Sequence, residues 1–215
     1  MAARAPLQLD DTSLEKAVKK LCRSHPQFRS VVKQHGVPSL RASAGGLQGL
    51  LQMVTEQFLS LAAAAAIWKR LQARLSACDT VKVLECPQQD LVALGLSRAK
   101  AKSFHGLAEA VHSGSFSFEA LAAMDDATAH KALIALPGIG PWTADIYLLS
   151  VLLRSDAWPW GDVALQAAAE NLFQLSERPG KPEMIALGEG FRPYRAVAAR
   201  LLWAHYRGLK QMSQA

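Results

Sequence analysis

LPGIGPWTADIYLLSVLLRSDAWPWGD, from Leu136 to Asp162, places a glycine-punctuated hairpin between two helical stretches and a lone aspartate beyond the second. Gly138 and Gly140 accept backbone angles closed to other residues, so the turn can be tight and can present bare amides. Pro141 suits a first helical turn, where its missing N–H costs nothing. The amides of Gly138, Gly140, Trp142 and Thr143 then sit at the positive end of a helix dipole, a site that suits phosphate. An ordinary αα-hairpin, whose glycines only let two helices turn, has the same pattern. The residues after the hairpin separate the two readings.

The 215 residues are half hydrophobic, enough for one large domain or two lobes with a substantial core, and they exclude disorder as the default. Lys plus Arg exceed Asp plus Glu by 24 to 18, a net +6 that favours an anionic partner. The opening MAARAPLQLDD lacks a signal-peptide core, and no apolar run reaches membrane-spanning length. These features predict a soluble intracellular protein, cytoplasmic or nucleoid-associated, with no membrane partner and no obligate protein partner. Cys22, Cys78 and Cys86 have no CxxC spacing, and the six histidines form no HxxxH or HExxH pattern. No bound metal is expected, and the cysteines read as reduced packing or surface residues.

Apolar residues recur at helical spacing almost throughout, as in Leu14, Ala17, Val18 and Leu21, or Leu61, Ala64, Ala65, Trp68 and Leu71. The chain reads as all-α. Helices are predicted near 12–23, 26–34, 46–56, 60–75, 88–93, 97–112, 117–123, 126–135, 141–153, 162–173, 182–188 and 193–208. Ser60, Ser97 and Asp162 have N-cap chemistry. The alanine run Ala62 to Ala66 suggests close helix packing.

The hairpin, its trailing Trp142-Thr143-Ala144 and Asp162 before a new helix resemble the helix-hairpin-helix (HhH-GPD) base-excision DNA glycosylases, and among them the DNA-3-methyladenine glycosylase II group. Leu50 to Trp68, Gly95 to Phe104, Leu136 to Phe173 and Phe191 to Trp203 resemble family segments in family order. The resemblance implies a two-lobed fold with an active-site cleft between lobes, one lobe at about 45–155 and the other at about 1–44 plus 156–215. It implies double-stranded DNA carrying alkylated bases as the partner. It leaves open a monovalent cation on the hairpin carbonyls and calls for no other cofactor.

Within that resemblance Asp162 matches the essential aspartate. A carboxylate there can stabilise the oxocarbenium-like charge that builds as an N-glycosidic bond breaks, or orient a water; it can equally cap the helix from Val163, and the two roles are compatible. Relatives that also cut the strand carry a lysine immediately before the Thr-Ala of the second hairpin helix, where this chain has Trp142. Lys131 is displaced from that position, so a monofunctional enzyme is expected. Leu136, Gly138, Ile139, Gly140, Trp142 and Thr143 are the expected DNA-gripping segment. Trp142, Trp160 and Trp203 are the expected base pocket, since electron-rich rings attract the electron-poor, often cationic rings of 3-methyladenine or 7-methylguanine. Tyr147 and Trp158 read as core.

Phe58 matches the family's intercalating position and Gln57 its polar neighbour, with a buried turn residue as the alternative for Phe58. Arg98, Lys100, Lys102, Arg192 and Arg195 read as supporting phosphate contacts, and Asp145 and Asp156 as weaker catalytic candidates. The expected reaction is hydrolysis of the N-glycosidic bond of alkylated purines in base excision repair. A non-catalytic hairpin DNA-binding protein, a glycosylase for deaminated or mismatched bases, and a glycosylase with lyase activity are the competing readings.

Overall fold

The computed structural model describes residues 7–40, 42–76 and 79–212. These form helices α1 (Asp11–Ser24), α2 (Phe28–His35), α3 (Gly46–Glu56), α4 (Leu61–Leu75), α5 (Thr80–Glu85), α6 (Gln88–Ala93), α7 (Arg98–His112), α8 (Phe118–Ala123), α9 (Asp126–Ile134), α10 (Pro141–Ser150), α11 (Val163–Leu172), α12 (Lys181–Glu189) and α13 (Arg195–Met212). The all-α class is as expected, and none of these helices is long and apolar enough to cross a membrane.

Side-chain caps start most of the helices. Asp10 and Ser13 form a reciprocal capping box at α1, and Ser60, Asp79, Ser97, Ser117, Asp125 and Asp162 each accept a backbone N–H of the helix that follows. Helix α5 escaped the sequence reading because it is only six residues long and carries two valines, which weakens its helical pattern. The Asp79 cap and the burial of Val83 sustain it.

The described residues divide into two compact units. In the first, Ser43–Tyr147, helices α3, α5 and α6 pack on α7, and α3 also packs on α4. Ala101, Phe104, Leu107 and Ala108 form the buried stripe of α7. On α4 the stripe is Ala64, Ile67, Trp68, Leu71 and Leu75, while Leu61 and Ala65, expected inside, are exposed. Of the alanine run only Ala64 is buried, so the run supplies helix propensity rather than a packing face.

The second unit comprises residues 7–42 and those from 148 onward, with α1, α2 and α11 packed on α13. Leu14, Ala17, Val18 and Leu21 of α1 are buried as the spacing predicts. Helix α10 stops at Ser150 rather than continuing to 153. There Leu153 takes a φ of 51°, Leu9 donates to its carbonyl at 2.8 Å, and Ser155 donates to Leu7 at 2.9 Å. Pairing with the extended residues 7–9 captures the chain before another helical turn forms. Arg200 lies buried in this unit and donates to the carbonyls of Leu40, Leu149 and Ala196; burial lowers its guanidinium to about 10.

Tyr147 is buried in the first unit, accepts the Gly46 N–H at 3.2 Å and stacks on Phe118. Burial pushes its phenol up to about 12. The unfolded chain therefore loses this proton first, so the contribution is intact below about pH 10 and is lost as pH rises toward 12. Urea unfolding between pH 9 and 12 is expected to show about 2 kcal/mol more alkaline loss for wild type than for Tyr147→Phe. Equal slopes would contradict the burial account.

Candidate active site

The hairpin is a short turn between α9 and α10. Ile139 donates to the Leu136 carbonyl at 3.2 Å across Pro137 and Gly138, and Gly138 has a φ of 80°. Proline followed by a left-handed glycine is what a type II turn requires. Space adds to the requirement. A Cβ on Gly138 would collide with the side chain of Ser103, and one on Gly106 would lie 2.5 Å from Pro137. Both Ser103 and Gly106 belong to α7, so the hairpin rests on that helix with no room for a methyl group.

Leu136 and Ile139 are only 8% and 5% exposed, so they anchor the hairpin, and only its backbone groups are open to a ligand. Thr143 is also buried, and its hydroxyl accepts from the Gln57 side chain at 3.0 Å. The first intrahelical bond of α10 runs from Ala144 to Gly140, which puts the Trp142 and Thr143 amides in the opening turn at the positive end of the dipole. Trp142 is 40% exposed. The carbonyls of Leu136 and Gly138 accept from Ile139 and Gln57, so a cation on either would share an oxygen with an N–H donor.

The turn between α3 and α4 repeats the hairpin's geometry with different residues. Leu59 donates to Glu56 at 3.3 Å, Gln57 has φ −53° and ψ 130°, and Phe58 has a φ of 57°. Phe58 thus occupies the position where a type II turn favours glycine. Its side chain is 101% exposed, which removes the buried-turn alternative. A phenyl ring fully in water on a left-handed backbone serves neither packing nor local conformation. Gln57 donates from one nitrogen to Gly138 O at 3.1 Å and Thr143 Oγ1 at 3.0 Å, joining this turn to the hairpin.

In the second unit the Trp158–Asp162 segment leads into α11. Asp162 donates to the Pro159 carbonyl at 2.9 Å. Its Oδ1 accepts from Ala164 N at 2.9 Å, Leu165 N at 3.0 Å and the Trp203 indole at 3.2 Å. It is a helix N-cap and, half-buried, also carries an aromatic donor from α13. Trp160 is half-buried with the Lys181 ammonium 4.8 Å from its ring centre, a cation–π contact. Trp158 is core, buried against Phe191 and Gly188 and donating to Met184 O.

Several expected supporting residues have other work. Lys100 donates to the carbonyls of Thr55 at 2.8 Å and Gln57 at 2.6 Å instead of lying open for phosphate. Arg192 and Arg195 engage Asp156 at 2.6 and 2.9 Å and also reach Glu189, which accounts for all three candidates as one ion-pair network. The Arg192 guanidinium holds the Glu189 carboxyl below its ordinary range. Asp145 is buried and pairs with His130 at 3.5 Å. Arg98, Lys102 and Lys131 are exposed. The clamp made by Lys100, the α7 seat of the hairpin and the Lys181–Trp160 contact were beyond sequence reasoning, since each joins residues distant in sequence.

Among the described residues no three His, Cys, Asp or Glu side chains gather as a metal site. Cys22 is half-buried and Cys86 buried, and burial raises both thiols; Cys78 lies outside the described residues.

Residues 51–193 match the sequence model of the HhH-GPD superfamily of base excision DNA repair proteins. The alkylbase DNA glycosidase-like protein mag2 of Schizosaccharomyces pombe is 28% identical over 200 residues, 90% of this chain and 94% of that one. YfjP of Bacillus subtilis is 35% identical over 121 residues, but these make up 56% of this chain and only 42% of YfjP. Among solved structures, S. pombe 3-methyladenine DNA glycosylase Mag1 in complex with abasic DNA superposes with a TM-score of 0.79 at 26% identity, covering 87% of this chain and 95% of that one.

Phe58→Gly is expected to raise stability by about 1 kcal/mol, by relieving the left-handed strain, while weakening binding to duplex DNA. Thermal melts and fluorescence anisotropy check the two arms. A stability loss would contradict the strained-turn account, and unchanged affinity would remove Phe58 from the DNA interface.

Proposed function

The chain belongs to the HhH-GPD superfamily of base excision DNA repair proteins, and from that premise we propose that it is a monofunctional DNA glycosylase that removes alkylated purines, of the 3-methyladenine and 7-methylguanine type, from double-stranded DNA. The observation that carries the proposal is Asp162: a half-buried carboxylate at the N-terminus of α11, held by two backbone amides and an indole N–H. Relatives described as an alkylbase DNA glycosidase-like protein (mag2) and a 3-methyladenine DNA glycosylase (Mag1) point to alkylated bases as the substrate class.

The chemistry follows from charge. The N-glycosidic electron pair leaves with the base, positive charge develops on the sugar, and water adds at the same carbon. A base methylated at a ring nitrogen already carries or shares positive charge, so it departs without a general acid. The enzyme's task is then to stabilise the sugar cation and direct water, which a fixed carboxylate does. The donors on Oδ1 set the orientation of that carboxylate before substrate arrives, so little reorganisation is needed as charge forms. Trp203, tied to Asp162, and Trp160 supply ring faces suited to the electron-poor base.

Strand cleavage requires an amine to attack the sugar and form a Schiff base. The position before Thr143-Ala144 holds Trp142, which has no amine. We therefore assign an abasic, uncut strand as the product. The hairpin backbone at Gly138, Gly140, Trp142 and Thr143 grips phosphate, and Phe58 fills the space left by the displaced nucleotide, with Gln57 at its side.

Duplex DNA treated with a methylating agent, incubated with wild type and Asp162→Asn, tests the assignment through released bases and strand length. Asparagine retains the helix cap, so the comparison isolates the charge. Wild type is expected to release methylated purines and leave the strand intact, with release falling at least about 100-fold in the variant. Equal release by both would remove Asp162 from the chemistry. A nicked product would contradict the monofunctional assignment, and no release by wild type would leave a DNA-binding protein.

A further inference from the structure

Helix α7 presents Lys100, Ser103 and Gly106 at intervals of three residues, which brings them near one face. Ser103 and Gly106 seat the hairpin, through Gly138 and Pro137. Lys100, one turn earlier, sends its ammonium to the carbonyls of Thr55 and Gln57 at 2.8 and 2.6 Å. Those carbonyls close α3, where the end of a helix leaves acceptors over and its dipole favours a cation. The residue that follows them is Phe58.

Gln57 is consequently held from two directions. Its carbonyl takes the Lys100 ammonium, and its side-chain nitrogen bonds Gly138 O and Thr143 Oγ1 of the hairpin segment. A phenylalanine with a φ of 57° and a fully exposed ring leaves that conformation readily unless its neighbours define it. The lysine is itself half-buried, and burial lowers its amine. A charged group placed there purely for solubility would sit in water instead.

We infer that Lys100 is the positioning residue for the Phe58 wedge: by clamping the Thr55 and Gln57 carbonyls it makes the wedge turn and the phosphate-gripping hairpin a single rigid element. This rests on the reading of Phe58 as the residue that enters the duplex. The consequence is mechanical. A hairpin locked on the backbone then fixes where the ring enters, and the binding energy of the phosphate contacts is transmitted to base displacement without a flexible turn dissipating it.

The test uses a duplex with an abasic-site analogue and 2-aminopurine as the neighbouring base, whose fluorescence rises when it is unstacked. Wild type, Lys100→Met, Lys100→Arg, Phe58→Ala and the double variant Phe58→Ala/Lys100→Met are compared at saturating protein. Wild type is expected to raise the signal several-fold, Lys100→Met to lose most of that rise, and Lys100→Arg, whose fork also spans two carbonyls, to recover it. In the Phe58→Ala background Lys100→Met should cost nothing further, because the lysine acts through the ring. Lys100→Leu, which likewise has no donor, takes the place of Lys100→Met if that variant does not fold. A full rise in the Lys100 variant, or a loss that adds to that of Phe58→Ala, overturns the inference about Lys100 alone. Equal signals from wild type and Phe58→Ala overturn the wedge reading and the inference with it.

Discussion

The structure depends on the contact between the hairpin and α7 that two glycines permit. Gly138 needs a φ of 80° and has the Ser103 side chain where its Cβ would be; Gly106 has Pro137 in the same place. Neither position has room for a methyl group, so the turn is fixed against a helix whose own stripe of Ala101, Phe104, Leu107 and Ala108 is wholly buried. A backbone pressed on a rigid helix presents its amides in one arrangement. Phosphate recognition by backbone needs that rigidity, because a floppy loop would lose in ordering entropy what its hydrogen bonds contribute.

The same helix supports the turn between α3 and α4, and the two turns make an instructive pair. Both place a left-handed residue at the third position of a turn closed by an i to i+3 bond. In the hairpin that residue is glycine, which local energetics favours. Between α3 and α4 it is Phe58, which they do not, and the ring lies fully in water. Local rules are broken here, as the proposed role of Phe58 in the duplex would require, and the contacts around Gln57 keep the violation in place. The α11 cap that orders the Asp162 carboxylate also puts it at the positive end of a dipole.

Much of this was legible in the sequence because it depends on neighbours along the chain. The Pro-Gly turn, the caps at Ser60, Ser97 and Asp162, the helical stripes and the missing lysine before Thr143-Ala144 all fall in this class. What escaped depends on residues far apart in sequence. Lys100 reads as one of a run of basic residues until its carbonyl partners 43 and 45 residues away are known. Arg192 and Arg195 read as phosphate ligands until Asp156 is seen between them. Leu136 and Ile139 sit in the segment expected to grip DNA, yet their side chains face inward; only burial separates a backbone contact from a side-chain one. Helix α10 ends early for the same kind of reason, since residues 7–9 claim the segment that follows.

The proposed function divides the work between a hairpin that would hold the strand, through its seat on α7, and a carboxylate that would perform the chemistry. The most direct measurement is the affinity of Gly106→Ala for duplex DNA by fluorescence anisotropy, alongside its melting temperature and its single-turnover base release at saturating DNA. Gly106 is in the seat beneath the hairpin, and the added methyl group would meet Pro137 at 2.5 Å. The account predicts an affinity at least about tenfold weaker in a protein that still folds. Wild-type affinity in the variant, or normal affinity with lost release, would contradict it.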